Sequence, residues 1–377
     1  MSDPMNFDYS PEQQALADSV ARFVEREYDW DKRTAAIRSN EGVDPGHWAT
    51  FAELGWLGAG LPEEAGGFGG GPVENAVIAQ ELGKGLVTEP FAAHVAISQL
   101  LAACETPAAL DLIERLVMGE ARLALALGEA EGRGDYTVVR TTYEAVADGF
   151  RIVGRKSLVE GASLAGHLIV SATGPEGPAI FLVDASREGV ALNPYRLLDS
   201  HRVCDVDLDL VVAAEAMLAR GDAASAALAL AVDHGLLALG AEALGVMHSA
   251  LWDTRDYLKT RTQFGTTLSS FQALQHRMAD MLIEVEMTRS LLFHALCAVE
   301  RSPGERSAAV SALKVQVAEG GLFVASQAIQ LHGGIGVTEE LPISHYYRRL
   351  FVIARLFGGT DMHVNRFAEA TDRCDRD

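Results

Sequence analysis

The hydrophobic spacing of this chain changes twice, and each change closes off most fold classes. In Cys204-Asp205-Val206-Asp207-Leu208-Asp209-Leu210, apolar and acidic residues alternate without a break. Successive side chains change faces on a strand, so this segment reads as a half-buried antiparallel strand with an aspartate face. Before Gly119 and after Asp222 the apolar residues instead recur every three or four positions, which is helical spacing. The chain is therefore expected to be α+β, in three blocks: an N-terminal helical domain over 1–118, a middle β-domain over 119–221, and a C-terminal four-helix bundle over 222–377. The middle block is expected to be a small antiparallel barrel or sandwich.

Local signals place the elements. Ser10-Pro11-Glu12-Gln13 predicts a helix start, with serine as cap, proline in the first turn and Gln13 closing a capping box. Further helices are expected over 48–57, 73–83, 92–103 and 107–117. Strand candidates at 123–127, 137–142, 151–153, 168–172 and 179–183 precede the alternating one. Long helices follow over 223–260, 272–299 and 307–330, and a last one over 345–366 is interrupted at Gly358-Gly359. The glycine-rich stretch Leu61 to Gly69 lacks the terminal Gly-Lys-Ser/Thr of a phosphate loop.

Composition limits the partners. A net charge of −21 over 377 residues argues against nucleic acid and anionic membranes, which both require a positive field. Any phosphate-bearing ligand must be held by local positive spots. The most apolar run, Ala223 to Met247, is broken by Asp233, His234 and Glu242, so no membrane span is expected. Met1-Ser2-Asp3-Pro4 does not resemble a signal peptide. Cys104, Cys204, Cys297 and Cys374 lie far apart without a CxxC pair, so neither a metal site nor a disulfide framework is expected, and a cytoplasmic location fits.

The segment Arg261 to Gln275 has two readings. Lys259 and Arg261 suit the carboxyl end of a helix dipole, with Gly265 as a glycine cap. Alternatively, Arg261 reaches an anionic cofactor. Motifs elsewhere bear on the choice. Ser10-Pro11-Glu12-Gln13, Leu54-Gly55-Trp56-Leu57-Gly58, the Leu61 to Gly69 stretch, Arg261-Thr262-Gln263-Phe264-Gly265 with Phe271-Gln272 and Gln275, and Gln330-Leu331-His332-Gly333-Gly334-Ile335-Gly336 follow one another in this order. Together they resemble the acyl-CoA dehydrogenase family over nearly the whole chain. The resemblance implies FAD, an acyl-CoA thioester substrate, a tetramer, and a glutamate that removes the α-proton while the flavin accepts a hydride. It also implies that each FAD lies across a subunit interface. One chain then holds the ring, and its neighbour holds the pyrophosphate and adenosine.

The residues implied for the nucleotide end are present: Arg261, Phe264, Gln272, Gln330, Gly333 and Gly334. The ring end departs from the family pattern. Where a Thr-Glu-Pro-x-Ala-Gly-Ser-Asp segment is usual, this chain has Gly128-Glu129-Ala130-Glu131-Gly132-Arg133-Gly134-Asp135. Where an Ile-Thr pair follows an aromatic or aliphatic residue, it has Leu158-Val159-Glu160-Gly161. The base is missing at both places the family uses, which fall here at Gly358 and Gly235. The expectation is thus a subunit without a catalytic residue, paired in an α2β2 heterotetramer with a chain that carries the glutamate. An electron-transfer flavoprotein is the implied kind of electron acceptor, and steroid-derived thioesters are an analogous substrate. Two alternatives are a homotetramer with a displaced base, Asp361 or Glu160, and a non-catalytic scaffold.

Overall fold

The computed structural model describes residues 8–104 and 106–374. Met1 to Pro4 and the Cys374 side chain lie outside the described residues. Helices α1 (Pro11–Glu27), α2 (Trp30–Arg38), α3 (His47–Glu53), α4 (Pro72–Lys84), α5 (Phe91–Cys104) and α6 (Pro107–Val117) open the chain. The capping box forms both ways: Gln13 N donates to Ser10 Oγ at 3.2 Å, and Ser10 N donates to Gln13 Oε1 at 3.0 Å. Phe23 meets Phe51 and Trp56 edge-on at 5.3 and 5.4 Å, contacts that contribute about 0.5–1.5 kcal/mol each beyond area burial. Spacing missed α2 because it buries Arg33 and Ile37 and has no broad apolar stripe. The helix expected over 48–57 stops at Glu53, where Gly55 turns the chain at φ +76°.

Strands β1 (Leu123–Ala126), β2 (Thr142–Val146), β3 (Gly149–Glu160), β4 (His167–Gly174), β5 (Gly177–Asp184), β6 (Val190–Arg196), β7 (Arg202–Val212) and β8 (Met217–Arg220) form one sheet. Its order is β6-β7-β3-β2-β4-β5-β8, with β1 beside β4. The sheet is mixed rather than wholly antiparallel, because β1 and β2 run parallel to β4. The alternating segment lies within β7 and buries Cys204, Val206, Leu208 and Leu210. Its aspartates face arginines on β3: Asp209 pairs with Arg151 and Asp205 with Arg155, both at 3.0 Å. Such solvated pairs contribute about 0–1 kcal/mol each. The strand expected over 137–142 is a loop up to Thr141, because its amides go elsewhere. Arg140 N and Thr141 N donate to the Glu129 carboxylate at 2.6 and 3.0 Å instead of to a ladder. The candidate at 151–153 is part of the much longer β3. Strand β6 escaped notice because it is a mostly exposed edge strand carrying Pro194.

The last block contains α7 (Gly221–Thr260), a hairpin of β9 (Thr262–Gln263) and β10 (Thr266–Thr267), α8 (Gln272–Ala298), α9 (Pro303–His332), α10 (Ile343–Ile353) and α11 (Thr360–Cys374). Helix α7 packs on α4 and α5 on one side and on α8 and α9 on the other. The N-terminal helices and the bundle therefore share one continuous core, while the sheet keeps its own. By length and composition, Gly221–Thr260 and Pro303–Val337 could each cross a bilayer, yet 72% and 61% of their apolar windows are buried inside the protein. The charges on α7 are neutralised within the fold. Asp233 pairs with Arg306 at 2.9 Å and Arg366 at 2.5 Å, and Glu242 accepts two bonds from Arg349 at 2.5 and 2.9 Å.

Candidate cofactor and active site

At one end of the bundle α7 stops at Thr260, and Arg261 leaves it in an extended conformation. Phe264 and Gly265 follow at φ +54° and +80°, so they form the two-residue turn between β9 and β10. Gly265 is thus a hairpin residue rather than the helix cap it resembled. Phe264 is 91% exposed, and its ring meets Phe271 edge-on at 6.2 Å. Gln272 opens α8 and Gln330 lies in the last turn of α9, both exposed. Gly333 ends α9 at φ +65°, and a Cβ added to Gly333 or Gly334 would meet nothing within 4 Å.

Tyr257 joins the two motifs. Its ring stacks on His332 at 4.3 Å, and its carbonyl accepts the Arg261 N–H at 2.9 Å. Arg261 makes no ion pair among the described residues. This end therefore brings together a forked cation, two carboxamides and an uncrowded glycine backbone, a donor set suited to a pyrophosphate. All six residues expected to hold the nucleotide are exposed here.

The second region is a cavity of about 360 Å³ between β1, β3 and the α10–α11 turn. Gly128 and Glu129 follow β1 along its edge. Gly128 O accepts from Ser157 N at 2.8 Å. The buried Glu129 carboxylate accepts from Lys156 Nζ at 2.7 Å and Thr141 Oγ1 at 2.8 Å, besides the two loop amides. Burial alone would raise its pKa, but Lys156 and Thr141 outweigh burial and hold it below the ordinary value. With that many donors Glu129 is a structural group. Leu158 sits at φ +58° in a β3 bulge, 49% exposed, and lines the cavity. Glu160 also borders it, with a carboxyl oxygen 3.9 Å from His201 Nε2. Burial pushes the Glu160 pKa up against the pull of His201 and Arg349. Ser157 is a lining hydroxyl that the sequence motifs did not mark.

Both glycines at the expected base positions are crowded. Gly358 is buried at φ +104°, and its Cβ would lie 2.2 Å from Met362 Sδ. Its backbone also presses on Gly134, where a Cβ would lie 2.8 Å from Gly358 N. Gly235 is buried in α7, and its Cβ would lie 3.1 Å from Ala96 Cβ and 3.7 Å from the Phe357 ring. Both positions thus abut Phe357, which lines the cavity. Asp361 is exposed in the first turn of α11, where the helix dipole favours a carboxylate, and it is not a lining residue. Of the two carboxylates named as displaced bases, Glu160 alone borders the cavity.

A buried network missed by sequence reasoning stands behind Glu160. Arg349 on α10 binds Glu242 on α7, donates to Asp199 Oδ2 at 2.9 Å and approaches His201 Nδ1 at 3.3 Å. Burial opposes the charge on Arg349, but Glu242 and Asp199 outweigh it and raise its pKa. Residues from three distant stretches meet here, and no spacing rule could have paired them. Among the described residues, no cluster of His, Cys, Asp or Glu is placed to hold a metal ion.

The acyl-CoA dehydrogenase N-terminal domain model matches residues 10–108, and the C-terminal domain model matches 225–371. A solved variant of the Tcur3481-Tcur3483 steroid ACAD is 34% identical, with a TM-score of 0.89, covering 97% of this chain and 99% of that one. The chain belongs to the acyl-CoA dehydrogenase family. The ChsE4-ChsE5 complex from Mycobacterium tuberculosis is a second structural neighbour, 26% identical at a TM-score of 0.89, covering 98% of this chain and 99% of that one. Acyl-CoA dehydrogenase IpdE2 of Mycolicibacterium smegmatis is 28% identical over 357 residues, 93% of this chain and 95% of the relative.

As an acyl-CoA dehydrogenase, the chain is an oxidoreductase, and the family implies FAD. The two halves of an FAD site fit this chain differently. The nucleotide half fits, since its donors are exposed and no Cβ fills the glycine turn. The ring half does not. Leu158 keeps the aliphatic residue of the family pattern, but Glu160 stands where the family places a hydroxyl, and its carboxyl, when ionised, opposes the negative charge a flavin gains on reduction.

Proposed function

We propose that this chain is one subunit of a heteromeric, FAD-dependent acyl-CoA dehydrogenase, and that it lends the nucleotide half of the site to a partner. In this reading Arg261 neutralises the pyrophosphate, Gln272 and Gln330 donate hydrogen bonds, Gly333 and Gly334 let the ligand approach the backbone, and Phe264 forms an apolar wall. Bound FAD supplies the hydride acceptor. The partner chain supplies the ring pocket, the thioester pocket and the glutamate that removes the α-proton, a contribution of about 10²–10⁴ in rate. The assembly is α2β2 with one FAD per heterodimer, located in the cytosol and reoxidised by an electron-transfer flavoprotein. Similarity to the steroid ACAD favours a steroid-derived acyl-CoA.

One observation carries this reading: the nucleotide donors are solvent-exposed, while both base positions are glycines closed in by Met362, Ala96 and Phe357. The test is flavin absorbance per chain in the complex of this chain with its partner. One FAD per two chains is expected, and the lone chain should be colourless. Arg261→Ala should lower flavin retention about tenfold while shifting unfolding free energy by no more than about 0.5 kcal/mol.

A second reading rests on Glu160, which borders the cavity with its pKa raised by burial. A homotetramer using Glu160 as base would be yellow without a partner, with one FAD per chain, and Glu160→Gln would abolish its activity.

A further inference from the structure

The cavity under Phe357 has no task in the proposed reaction, yet it is built like a ligand site. Its volume of about 360 Å³ lies within the ~300–1,000 Å³ usual for small-molecule pockets. Ala93, Leu125, Leu127, Leu356 and Phe357 supply apolar wall. Two guanidinium groups, Arg133 and Arg355, also line it.

Both arginines have donors to offer. In a chain of net charge −21, Arg133 makes no ion pair or side-chain hydrogen bond among the described residues. It is held in the left-handed region at φ +48°, at the end of the short turn Ala130–Gly132, an uncommon conformation for a residue with a Cβ. Arg355 stacks on the Phe351 ring at 3.5 Å and donates Nη1 to the Phe351 carbonyl at 2.8 Å, which leaves its other N–H groups unspent. The two chain segments pass each other at Gly134, where an added Cβ would lie 3.4 Å from Arg355 O. Glycine at that point lets the segment carrying Arg133 lie against the segment carrying Arg355. Two lining carboxyls could repel an anion: Glu129, whose oxygens are taken up by Lys156, Thr141 and two loop amides, and Glu160, which burial shifts toward its neutral, hydrogen-donating form.

We propose that this cavity is a binding site in its own right for a small apolar carboxylate, whose anionic end is held by Arg133 and Arg355 and whose body lies against Leu125, Leu127 and Phe357. The proposal rests on the reading that the flavin ring sits on the partner chain. Forked arginine donors match a carboxylate in a way they do not match a neutral amide. A thioester carbonyl is neutral and gives the two guanidinium groups no anion to pair with, so the ligand is the free acid.

The experiment is equilibrium dialysis of the purified complex against 4-phenylbutyrate, with the neutral 4-phenylbutyramide as comparison and flavin content measured on the same samples. Saturable binding of the acid at one per copy of this chain is expected, with the amide at least about tenfold weaker. Arg133→Met, in an exposed turn, should raise the Kd of the acid about tenfold without changing flavin content. Arg355→Met should do the same if it folds, and Arg133→Met carries the test if it does not. Absence of saturable binding, equal binding of acid and amide, or an unchanged Kd in Arg133→Met overturns the proposal. Those results with one FAD per two chains leave the heteromer reading standing, whereas one FAD per chain removes both.

Discussion

Gly333 and Gly358 both have positive φ, and they have opposite surroundings. Around Gly333 an added Cβ would meet nothing within 4 Å, and the neighbouring Arg261, Gln272 and Gln330 are exposed. Around Gly358 the same atom would strike Met362 Sδ at 2.2 Å, with the His363 ring 3.3 Å away and Gly134 against its backbone. Open glycine in the first case leaves room for a visitor. In the second it is the residue that allows two pieces of the same chain to touch. The difference teaches that a positive-φ glycine marks a binding site only when the space beyond it is empty, and sequence alone does not report that space.

Three measurements press on this contrast. The largest effect is expected from acid, because several histidines are buried within the helical part of the fold. Burial lowers His94, His234 and His363 to about 4, so the unfolded chain takes up their protons first. Their contribution is fully present above about pH 6.5 and is lost as pH falls toward 4, roughly 3 kcal/mol each and on the order of 10 kcal/mol in total. Glu160, whose folded pKa is raised, acts with the opposite sign and offsets part of this. Urea unfolding at pH 7 and pH 4.5 measures it; equal stability at the two would dissolve the picture of a tightly closed interior.

Next comes Arg349→Leu, which leaves Asp199 and Glu242 as buried charges without their shared partner. A loss of about 3–5 kcal/mol is expected, read from the urea midpoint. A change under about 1 kcal/mol would mean that the network does not brace the cavity. The smallest effect is expected from Gly358→Glu. The strained φ and the displacement of Met362 should cost about 1–3 kcal/mol. This chain alone should still fail to oxidise any acyl-CoA. Measurable turnover would show that the closed side is a dehydrogenase site lacking one carboxylate and nothing else.

Much of the architecture was legible because it rests on short-range rules. The Ser10 capping box, the alternation within β7 and the helical spacing of α7, α8 and α9 are each readable within a few residues. Elements without that local contrast escaped. Helix α2 buries an arginine in place of an apolar stripe, and β6 is a largely exposed edge. The loop before β2 looks like a strand until Glu129 is seen to accept its amides. For the candidate site, the residues expected to hold the nucleotide are visible as motifs, and the hairpin at Phe264-Gly265 is not, since a positive-φ glycine after a helix fits a cap equally well. The Glu160–His201–Asp199–Arg349–Glu242 network was invisible because its members lie up to one hundred and more positions apart and meet through packing of three separate elements.

The contact of Gly235 with Ala96 has a consequence for the history open to this chain. An alanine methyl has no rotamer that moves it aside, so a side chain at Gly235 asks α5 and α7 to part by a few tenths of an ångström. At Gly358 a carboxylate side chain asks the flexible Met362 side chain to swing away and the backbone to keep a φ of +104°. A carboxylate at either position therefore costs stability before it can add any activity.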